Sequence, residues 1–478
     1  MKKQQLLGIG MSLLMLVGNV TSVYAGTWTM RNVTPAQIAS EMNVGWNLGN
    51  SLDAYGTYSL DDETCWKNPR TTKRMIDTVK AQGFNTIRIP VSWGDHIVGE
   101  GYKIDDAWMN RVQEVVDYAI DDNTYVILDT HHESHTWLKP ESASVAAAHS
   151  ELAAIWSQIA YRFRDYGDHL LFEGMNEPRI IGSSHEWNGG DADGRAAINA
   201  LNNTFISAVR KTGGNNRNRC LIICPYGNNG EPNGLSGFEL PNDPNIMVAI
   251  HAYTPYGFTY IPEGNPSWST SVWDGTQKYT IEDVMSRLND QIVSKGVPVI
   301  ITEFGAVNKN NEADVIRWTK DYMETAAKYG IKCIWWDNNQ HGAYDGESFG
   351  LLDRSTCTWT RKGVADMLVR CGNNSQGNNA GGSTAAPKVS VKMTEEWGNV
   401  GVGNITITNT TGRPLNGWSF TFTSNRPISQ MWDVEGFVQT GYNTYTITSP
   451  SGNGYLAPGA SHTFGCVFGQ CRNYQCKI

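Results

Sequence analysis

The 478-residue sequence lacks two features that would direct it to nucleic acid or lipid. It has no excess of basic residues, because 38 Lys and Arg stand against 47 Asp and Glu, a formal net charge of -9. Nucleic-acid-binding proteins usually carry a basic stripe. Beyond residue 25 there is no run of about eighteen apolar residues, as a membrane helix requires. We therefore expect no nucleic-acid or membrane partner, and a neutral polymer suits this composition better.

Metal-binding spacings of cysteine and histidine are also missing. Cys220 and Cys224 do not have the spacing of a zinc ribbon, and no histidines follow them in register. His131 and His132 are adjacent rather than at the i, i+4 spacing of a zinc protease helix, and neighbours on a strand point to opposite faces. We predict no metal and no cofactor. The nine cysteines are an odd number, so at least one thiol is free or pairs between molecules.

The first 25 residues are typical of a signal peptide. Lys2 and Lys3 precede a mostly apolar run from Leu6 to Val17, and Val23-Tyr24-Ala25 resembles a cleavage site. The apolar run is too short to span a bilayer comfortably, which disfavours a membrane anchor. We predict that residues 1–25 are removed and that the mature protein is secreted, extracellular and monomeric.

A stretch of low complexity divides the remaining chain. Residues 372–387, GNNSQGNNAGGSTAAP, contain no large apolar side chain, so they cannot bury a core and are predicted to be a flexible linker. The linker separates a domain at 27–371 from a smaller one at 388–478. The chain also has 17 Trp and 20 Tyr. Flat aromatic rings that are not in a core suit stacking on the apolar faces of sugars.

The larger domain alternates between β-rich runs and amphipathic helical patterns. One helical stripe comprises Met75, Ile76 and Val79, and the interval 228–245 is too rich in Gly, Pro and Asn for a confident helix. The eight β-rich runs are Val44–Asn50, Thr86–Trp93, Tyr125–His132, Leu170–Asn176, Arg219–Tyr226, Ile246–Tyr253, Pro298–Phe304 and Cys333–Asp337. This order predicts an α/β fold, a (β/α)8 TIM barrel, or alternatively a doubly wound open sheet. Polar residues at the C-terminal ends of many different strands favour the barrel.

Two glutamates lie where apolar strands end, Glu177 after the fourth and Glu303 at the seventh. Either alone is more often a salt-bridged or solvated residue than a catalyst. Together they match the chemistry of glycosidic cleavage, in which one carboxylic acid protonates the leaving oxygen and one carboxylate attacks or activates water. Arg88 lies within an apolar run, where an unpaired charge is costly. It serves either a structural salt bridge or the ionisation of a carboxylate.

The motifs GWNLGN, IRIP, HHE, NEP, HAY, TEFG and WWDN occur in this order over nearly all of residues 27–371. In this set the chain resembles glycoside hydrolase family 5, and most of all its bacterial endoglucanases. The resemblance implies a (β/α)8 barrel and a retaining mechanism, with Glu177 as acid/base and Glu303 as nucleophile. The residues that match the family's nucleophile-orienting and substrate-contacting positions are Arg88, His131, His132, Asn176, His251, Tyr253 and the sugar platform Trp336.

The implied roles carry electrostatic requirements. Arg88 and Tyr253 are expected to donate hydrogen bonds to Glu303 and to favour its charged form. Glu177 must begin the reaction protonated, so we expect its surroundings to raise its pKa. Asn176 is placed to hydrogen-bond the sugar 2-hydroxyl, a contact that strengthens in the transition state.

Residues 388–478 alternate in the manner of a β-sandwich. In NITITNTTGRPLNGWSFTF and LAPGASHTFG they resemble a family 2 carbohydrate-binding module. Trp397 and Trp432 match two of that family's three surface aromatics. The third falls within Ser449–Gly452, where there is no Trp, so Tyr442 or Tyr455 takes its place or the module binds weakly.

The sequence thus predicts a secreted retaining endo-β-1,4-glucanase (cellulase) whose partner is a β-glucan such as cellulose. A xyloglucanase, mixed-linkage glucanase or mannanase of the same family is the alternative among enzymes. A non-catalytic glycan-binding protein is the alternative outside them, disfavoured because binding alone does not require both glutamates.

Overall fold

The computed structural model describes residues 29–261, 268–344, 346–375, 388–397, 400–409, 415–416, 419–423, 427–441, 444–449, 455–457 and 459–468. The predicted signal peptide, residues 376–387 of the predicted linker, Tyr442 and the side chain of Trp397 lie outside this description. Among the helices of the described residues, none is both long and apolar enough to cross a membrane.

Eight parallel strands close into a barrel in sequence order, which confirms the predicted fold and makes the open-sheet alternative wrong. The strands are β1 Gly45–Asn47, β2 Thr86–Ile89, β3 Tyr125–Asp129, β4 Leu170–Glu173, β5 Leu221–Ile223, β6 Ile246–His251, β7 Val299–Phe304 and β8 Lys332–Trp335. The ring closes where β1 pairs with β8, with Gly45 opposite Ile334. Seven of the strands are buried along their whole length, and only His251 at the end of β6 is partly exposed. Parallel strands covered on both faces read as continuous apolar runs for this reason.

Helices surround the barrel and connect successive strands. They are α1 Pro35–Glu41, α2 Asp62–Cys65, α3 Lys73–Gln82, α4 Asp106–Ala119, α5 Val145–Arg162, α6 Ala192–Lys211, α7 Pro232–Leu235, α8 Tyr256–Thr259, α9 Lys278–Gln291, α10 Glu312–Lys328 and α11 Lys362–Ser375. Between β5 and β6, a fully described stretch, α7 has only four residues. The Gly-, Pro- and Asn-rich composition that made a helix doubtful there accounts for its shortness.

Helix α4 shows how the sequence determines these elements. Asp105 caps it by accepting hydrogen bonds from the Ala107 amide at 2.6 Å and the Trp108 amide at 3.3 Å, a contact that contributes about 1 kcal/mol. Its apolar stripe, which includes Val112 and Val116, is completely buried. Burial of each such side chain stabilises the fold by roughly 1.5–3 kcal/mol.

Helix α11 continues four residues past the predicted domain end at 371, as far as Ser375. Gly372 lies so close to β1 that a Cβ atom there would be 2.9 Å from the Cβ of Val44. Asn43 Nδ2 donates a hydrogen bond to Asn373 Oδ1 at 2.9 Å. These tertiary contacts compensate for the poor helix propensity of the Gly-Asn-Asn sequence.

The regular elements among the described residues from 388 to 468 are all β-strands, as predicted. The strands are β11 Lys388–Trp397, β12 Val400–Thr408, β13 Leu415–Asn416, β14 Ser419–Thr423, β15 Ile428–Trp432, β16 Glu435–Gly441, β17 Thr444–Thr448, β18 Tyr455–Leu456 and β19 Ser461–Phe468, with β9 Leu352–Asp353 and β10 Thr358–Trp359 forming a small hairpin before α11. One sheet has the order β11-β12-β19-β15 and another β14-β17-β16. Ile405 and Phe464 of the first sheet share a buried core with Tyr445 and Ile447 of the second, which is the arrangement of a β-sandwich.

Candidate active site

Charged side chains gather at the C-terminal end of the barrel because several strands end in one. Asp129 ends β3, Glu173 ends β4, His251 ends β6 and Glu303 lies one residue before the end of β7. All of them belong to one parallel barrel, so these ends meet at the same rim.

Arg88 of β2 lies at the centre of this rim and is completely buried. Its Nε donates to Glu173 Oε2 at 2.6 Å, its Nη1 donates to Glu303 Oε1 at 2.8 Å, and its Nη2 lies 2.8 Å from Asp129 Oδ2. Nη1 also donates to Asn47 at 3.0 Å. These three carboxylates raise the pKa of Arg88 even though burial alone would lower it. The salt bridge of Arg88 therefore includes the predicted nucleophile itself.

Glu303 receives a second hydrogen bond from the neighbouring strand end. Tyr253 OH donates to Glu303 Oε2 at 3.0 Å, while Arg88 occupies the other oxygen. Both expected donors to Glu303 are thus present, and they hold its carboxylate in one orientation.

Glu177 lies in the segment that follows β4 and has a φ of +43°, a left-handed backbone conformation that is rare for residues other than Gly. Its carbonyl accepts hydrogen bonds from Arg179 Nη1 at 2.9 Å and Ser134 Oγ at 3.3 Å. Its carboxylate is hydrogen-bonded to His251 Nδ1 at 2.8 Å and lies 3.3 Å from Arg179 Nη1. Contacts to both the backbone carbonyl and the side-chain carboxylate therefore hold Glu177 in this strained conformation.

The two glutamates approach each other through His251. One carboxylate oxygen of Glu177, one of Glu303 and a ring nitrogen of His251 all lie within 4.8 Å of one another. His251 Nδ1 is 3.5 Å from Glu303 Oε2. The carboxyl separation in retaining glycosidases is about 5–5.5 Å, and in inverting ones about 6.5–9.5 Å. A contact this short agrees with the first class.

The expected direction of the Glu177 pKa is wrong. Burial raises this pKa, but the hydrogen bond and charge of His251 together with Arg179 outweigh burial and hold it below its ordinary value. Burial also raises the pKa of Glu303, and His251 and Arg88 only partly oppose that rise. The sequence did not reveal that His251 would pair with Glu177 more closely than with Glu303.

The same pairing places a proton donor next to Glu177. Burial lowers the pKa of His251, but Glu303 and Glu177 raise it more, so the imidazole favours its charged form. A charged His251 beside an ionised Glu177 carries the same number of protons as a neutral His251 beside a protonated Glu177. Transfer along the 2.8 Å hydrogen bond converts one state into the other, so the proton belongs to the pair.

The remaining predicted residues lie around these two glutamates. Asn176 Oδ1 accepts a hydrogen bond from Arg88 Nη2 at 2.7 Å, and Asn176 Nδ2 lies 3.3 Å from His131 Nε2. The imidazole of His131 is parallel to the indole of Trp336 at 5.6 Å between ring centres. His132 packs perpendicular to His131 at 4.6 Å. The predicted barrel residues therefore converge on one site.

In the part of the chain that the structure describes, two groups of three side chains place donor atoms close enough for a metal ion. They are Asp53 with His131 and His132, and Glu177 with His251 and Glu303. The argument that His131 and His132 point apart is wrong in its premise, because β3 ends at Asp129 and both histidines follow it. However, Asp53 already accepts hydrogen bonds from the Asn50 and Ser51 amides. His131 Nδ1 is hydrogen-bonded to Asp129 Oδ2 at 2.8 Å. Atoms of the first group are therefore already engaged by hydrogen bonds within the protein.

Several residues of the site carried no predicted role. Asp129 and Glu173 both form ion pairs with Arg88. Each is a carboxylate at the C-terminal end of an apolar strand, a position that could have marked it as a site residue. Burial raises the pKa of Asp129 to about 6 against the opposing charge of Arg88. Arg179 lies in an irregular loop, and no periodicity marked it.

The C-terminal sandwich presents a second group of predicted residues. Trp432 is 43% exposed and is paired with Gly465, where a Cβ atom would be only 1.9 Å from the indole. The ring therefore lies across the backbone of β19. Position 397 of β11 pairs with Val400 of β12. Trp432 of β15 pairs with Gly465 of β19, which in turn pairs with Asn404 of β12. Because residues 400 and 404 share a face of β12, positions 397 and 432 lie on the same face of the sheet.

Two family comparisons cover most of the chain. Residues 52–342 match the cellulase family, glycosyl hydrolase family 5. Residues 387–475 match a cellulose binding domain.

Individual relatives agree with these matches. Endoglucanase A of Ruminococcus albus is 47% identical over 344 residues, which are 71% of this chain and 93% of that protein. Endoglucanase A of Clostridium longisporum is 37% identical over 485 residues, covering 91% of this chain and 92% of the relative. Among solved structures, a xyloglucan-specific endo-β-1,4-glucanase from a metagenomic library is 50% identical, with a TM-score of 0.67 over 70% of this chain and 98% of that one. A broad-specificity endoglucanase from Clostridium acetobutylicum is 43% identical, with a TM-score of 0.67 over 71% and 100% of the two chains.

Proposed function

The chain belongs to glycosyl hydrolase family 5, the cellulase family, and on that premise we propose that its barrel cleaves internal β-1,4 bonds of glucans by a retaining double displacement. The protein is an endo-1,4-β-glucanase whose substrate is a β-glucan polysaccharide. In the proposed mechanism Glu303 is the nucleophile and Glu177 the acid/base.

The observation that carries this mechanism is the contact between the two glutamates. Glu177 follows β4 and Glu303 lies near the end of β7, and their carboxylate oxygens are within 4.8 Å of each other. They differ in their partners, since Glu303 is bound by Arg88 and Tyr253, and Glu177 by His251 and Arg179. A fixed carboxylate beside one that shares a proton is what the two roles require.

In the first step Glu303 attacks the anomeric carbon, and the glycosidic C–O bond breaks. Glu177 delivers the proton that it shares with His251 to the departing oxygen. In the second step Glu177 accepts a proton from water as that water attacks the anomeric carbon and displaces Glu303. The configuration at the anomeric carbon is inverted twice and therefore retained.

Azide rescue distinguishes the two roles. Glu303→Ala should form no glycosyl-enzyme, and azide should restore turnover with inversion. Glu177→Ala should still be glycosylated by substrates with good leaving groups, which need little protonation, and azide should give a retained glycosyl azide. The anomeric configuration of each product is read by proton NMR. Exchanged outcomes would reverse the assignment, and an inverted product from the wild-type enzyme would refute retention.

We propose that several β-glucans are substrates, including xyloglucan and mixed-linkage glucan as well as cellulose. The support is the 50% identity to a xyloglucan-specific enzyme and the 43% identity to a broad-specificity one. A reducing-end assay on carboxymethylcellulose, xyloglucan, barley β-glucan and mannan tests this range. Activity on mannan alone would contradict it.

We further propose that the sandwich binds cellulose and that the protein acts outside the cell. The match of residues 387–475 to a cellulose binding domain and the exposed Trp432 support binding. Pull-down with microcrystalline cellulose tests the wild-type chain beside Trp432→Ala and Trp397→Ala. If the wild-type chain remains in the supernatant, the module binds another ligand. N-terminal sequencing of protein recovered from culture medium tests removal of residues 1–25.

A further inference from the structure

In the loop that follows β4, Arg179 lies between Glu177 and Trp187. Arg179 Nη1 lies 3.3 Å from Glu177 Oε2 and donates to the Glu177 carbonyl at 2.9 Å. On its other edge, Arg179 Nε donates to Glu186 Oε1 at 3.2 Å. The guanidinium also lies over the Trp187 ring, 4.1 Å from its centre. A single guanidinium thus contacts the carboxylate and an aromatic face at once.

The loop is built to hold this arginine in place. Glu186 Oε2 accepts a hydrogen bond from the Gly182 amide at 2.7 Å, and Tyr226 OH accepts one from the Ile180 amide at 2.7 Å. Arg179 is nearly buried, whereas Trp187 is 59% exposed. The indole therefore has one face on the guanidinium and offers open surface to solvent.

The position of Trp187 determines which part of a substrate it would meet. Trp336 and His131 stack on one another beside Asn176 and Glu303. Glu177, by contrast, must reach the oxygen of the departing sugar. The sugar on that side of the bond is the one nearest to Glu177 and its neighbours Arg179 and Trp187.

We propose that Arg179 is a positioning residue for Glu177 and that Trp187, stacked upon it, is the platform for the glucosyl residue of the leaving group. The inference rests on the proposed function. Binding of the leaving sugar to Trp187 and ionisation of Glu177 are then linked through the guanidinium of Arg179.

Several charged or titratable groups face Glu177. They are His251 of β6, Glu303 of β7, His131 after β3, Arg179 of its own loop, and the hydroxyls of Tyr253 and Tyr260. The charge of Arg179 lowers the pKa of Glu177 in addition to the effect of His251. Removal of that charge raises the pKa at which the Glu177–His251 pair loses its proton, while removal of Glu186 does the reverse.

The pH profile of kcat/KM on soluble β-glucan is the test of Arg179. Arg179→Gln should move the alkaline limb upward by about 1 pH unit, and Arg179→Lys by less, because Lys keeps the charge. Glu186→Gln should give a smaller downward movement, which keeps the test open if Arg179→Gln does not fold. Arg164→Gln is the matched control, since Arg164 covers Tyr161 at 4.9 Å outside the site. If the alkaline limb of Arg179→Gln coincides with that of the wild type, the inference is overturned. If Arg179→Gln is unfolded, an unchanged alkaline limb in Glu186→Gln overturns it.

Trp187 is tested with substrates that differ in their leaving group. Trp187→Ala should lower kcat/KM for cellopentaose about fivefold more than for β-cellobiosyl fluoride, whose leaving group is one atom. Tyr161→Ala is the control that should change neither. Equal losses on both substrates would refute the platform. A wild-type enzyme that releases no reducing ends from β-glucan would refute the proposed function instead.

Discussion

Among single side chains, Arg88 is the one whose loss we expect to destabilise the barrel most. Arg88→Ala would leave Asp129, Glu173 and Glu303 buried without their shared cation. Removal of one partner from a buried ion pair costs about 3–5 kcal/mol. Urea unfolding of the variant measures the loss, beside the exposed control Arg74→Ala. A loss below about 1 kcal/mol, the median for a surface pair, would contradict the central role of Arg88.

Because His96 is buried, we predict that the free energy of unfolding decreases in acid. Its ring stacks on Trp108 at 3.7 Å, and burial lowers its pKa to about 4 in spite of the nearby Asp62. An unfolded histidine has a pKa of about 6.5, so between these values the unfolded chain binds more protons. The free energy of unfolding must therefore fall as pH decreases from about 6.5 to 4, by roughly 2–3 kcal/mol from this residue.

The variant His96→Phe keeps the ring stack and removes the titration. Denaturant unfolding at pH 7 and pH 4 should show a smaller difference for the variant than for the wild type. The exposed His185→Phe should show the wild-type difference. If the His96 variant loses as much stability in acid as the wild type, another group is responsible.

Residue-level prediction succeeded where burial required a charged side chain to be paired. A charge inside the apolar run of β2 had to be paired, and Arg88 is paired with Glu303. It failed where the choice of partner depends on a difference in distance of less than one ångström. His251 Nδ1 lies 2.8 Å from Glu177 and 3.5 Å from Glu303, and this difference reverses the expected direction of the Glu177 pKa.

At the scale of elements, the end of α11 makes a testable boundary. A chain that ends at Cys371 loses the contact of Gly372 with Val44 and the hydrogen bond between Asn373 and Asn43. Thermal unfolding should begin at a lower temperature for this chain than for one ending at Ser375. We expect a difference on the order of 1–2 kcal/mol, the usual value of one hydrogen bond with modest packing. Equal midpoints would place the end of the domain at 371.

The strands were easier to predict than the helix ends. Seven of the eight barrel strands lie wholly within the β-rich runs of the sequence, and β8 begins one residue before its run, at Lys332. The runs are legible because parallel strands are covered on both faces. The last turn of α11 has residues that favour loops, and only its packing on β1 keeps it helical. Such a contact joins residues far apart in sequence, so no local pattern reveals it.

For the whole molecule, we expect the sandwich to contribute to activity only on solids. Deletion of residues 376–478 should leave turnover of carboxymethylcellulose nearly unchanged, because the side chains to which we assign catalysis belong to the barrel domain. The same deletion should lower activity on microcrystalline cellulose several-fold, since tethering raises the effective concentration of enzyme at the surface. Reducing-end release on both substrates measures this. An equal loss on both would mean that the sandwich supports the barrel itself.

The pairing of β1 with β8 has a consequence during synthesis on the ribosome. β1 emerges early, but its second neighbour is among the last parts of the barrel to be translated. At about 5–20 residues per second, the wait lasts roughly 15–60 s. Throughout that time one edge of β1 is a bare row of backbone donors and acceptors, open to strands of neighbouring nascent chains. We therefore expect this barrel to be most prone to aggregation on crowded polysomes.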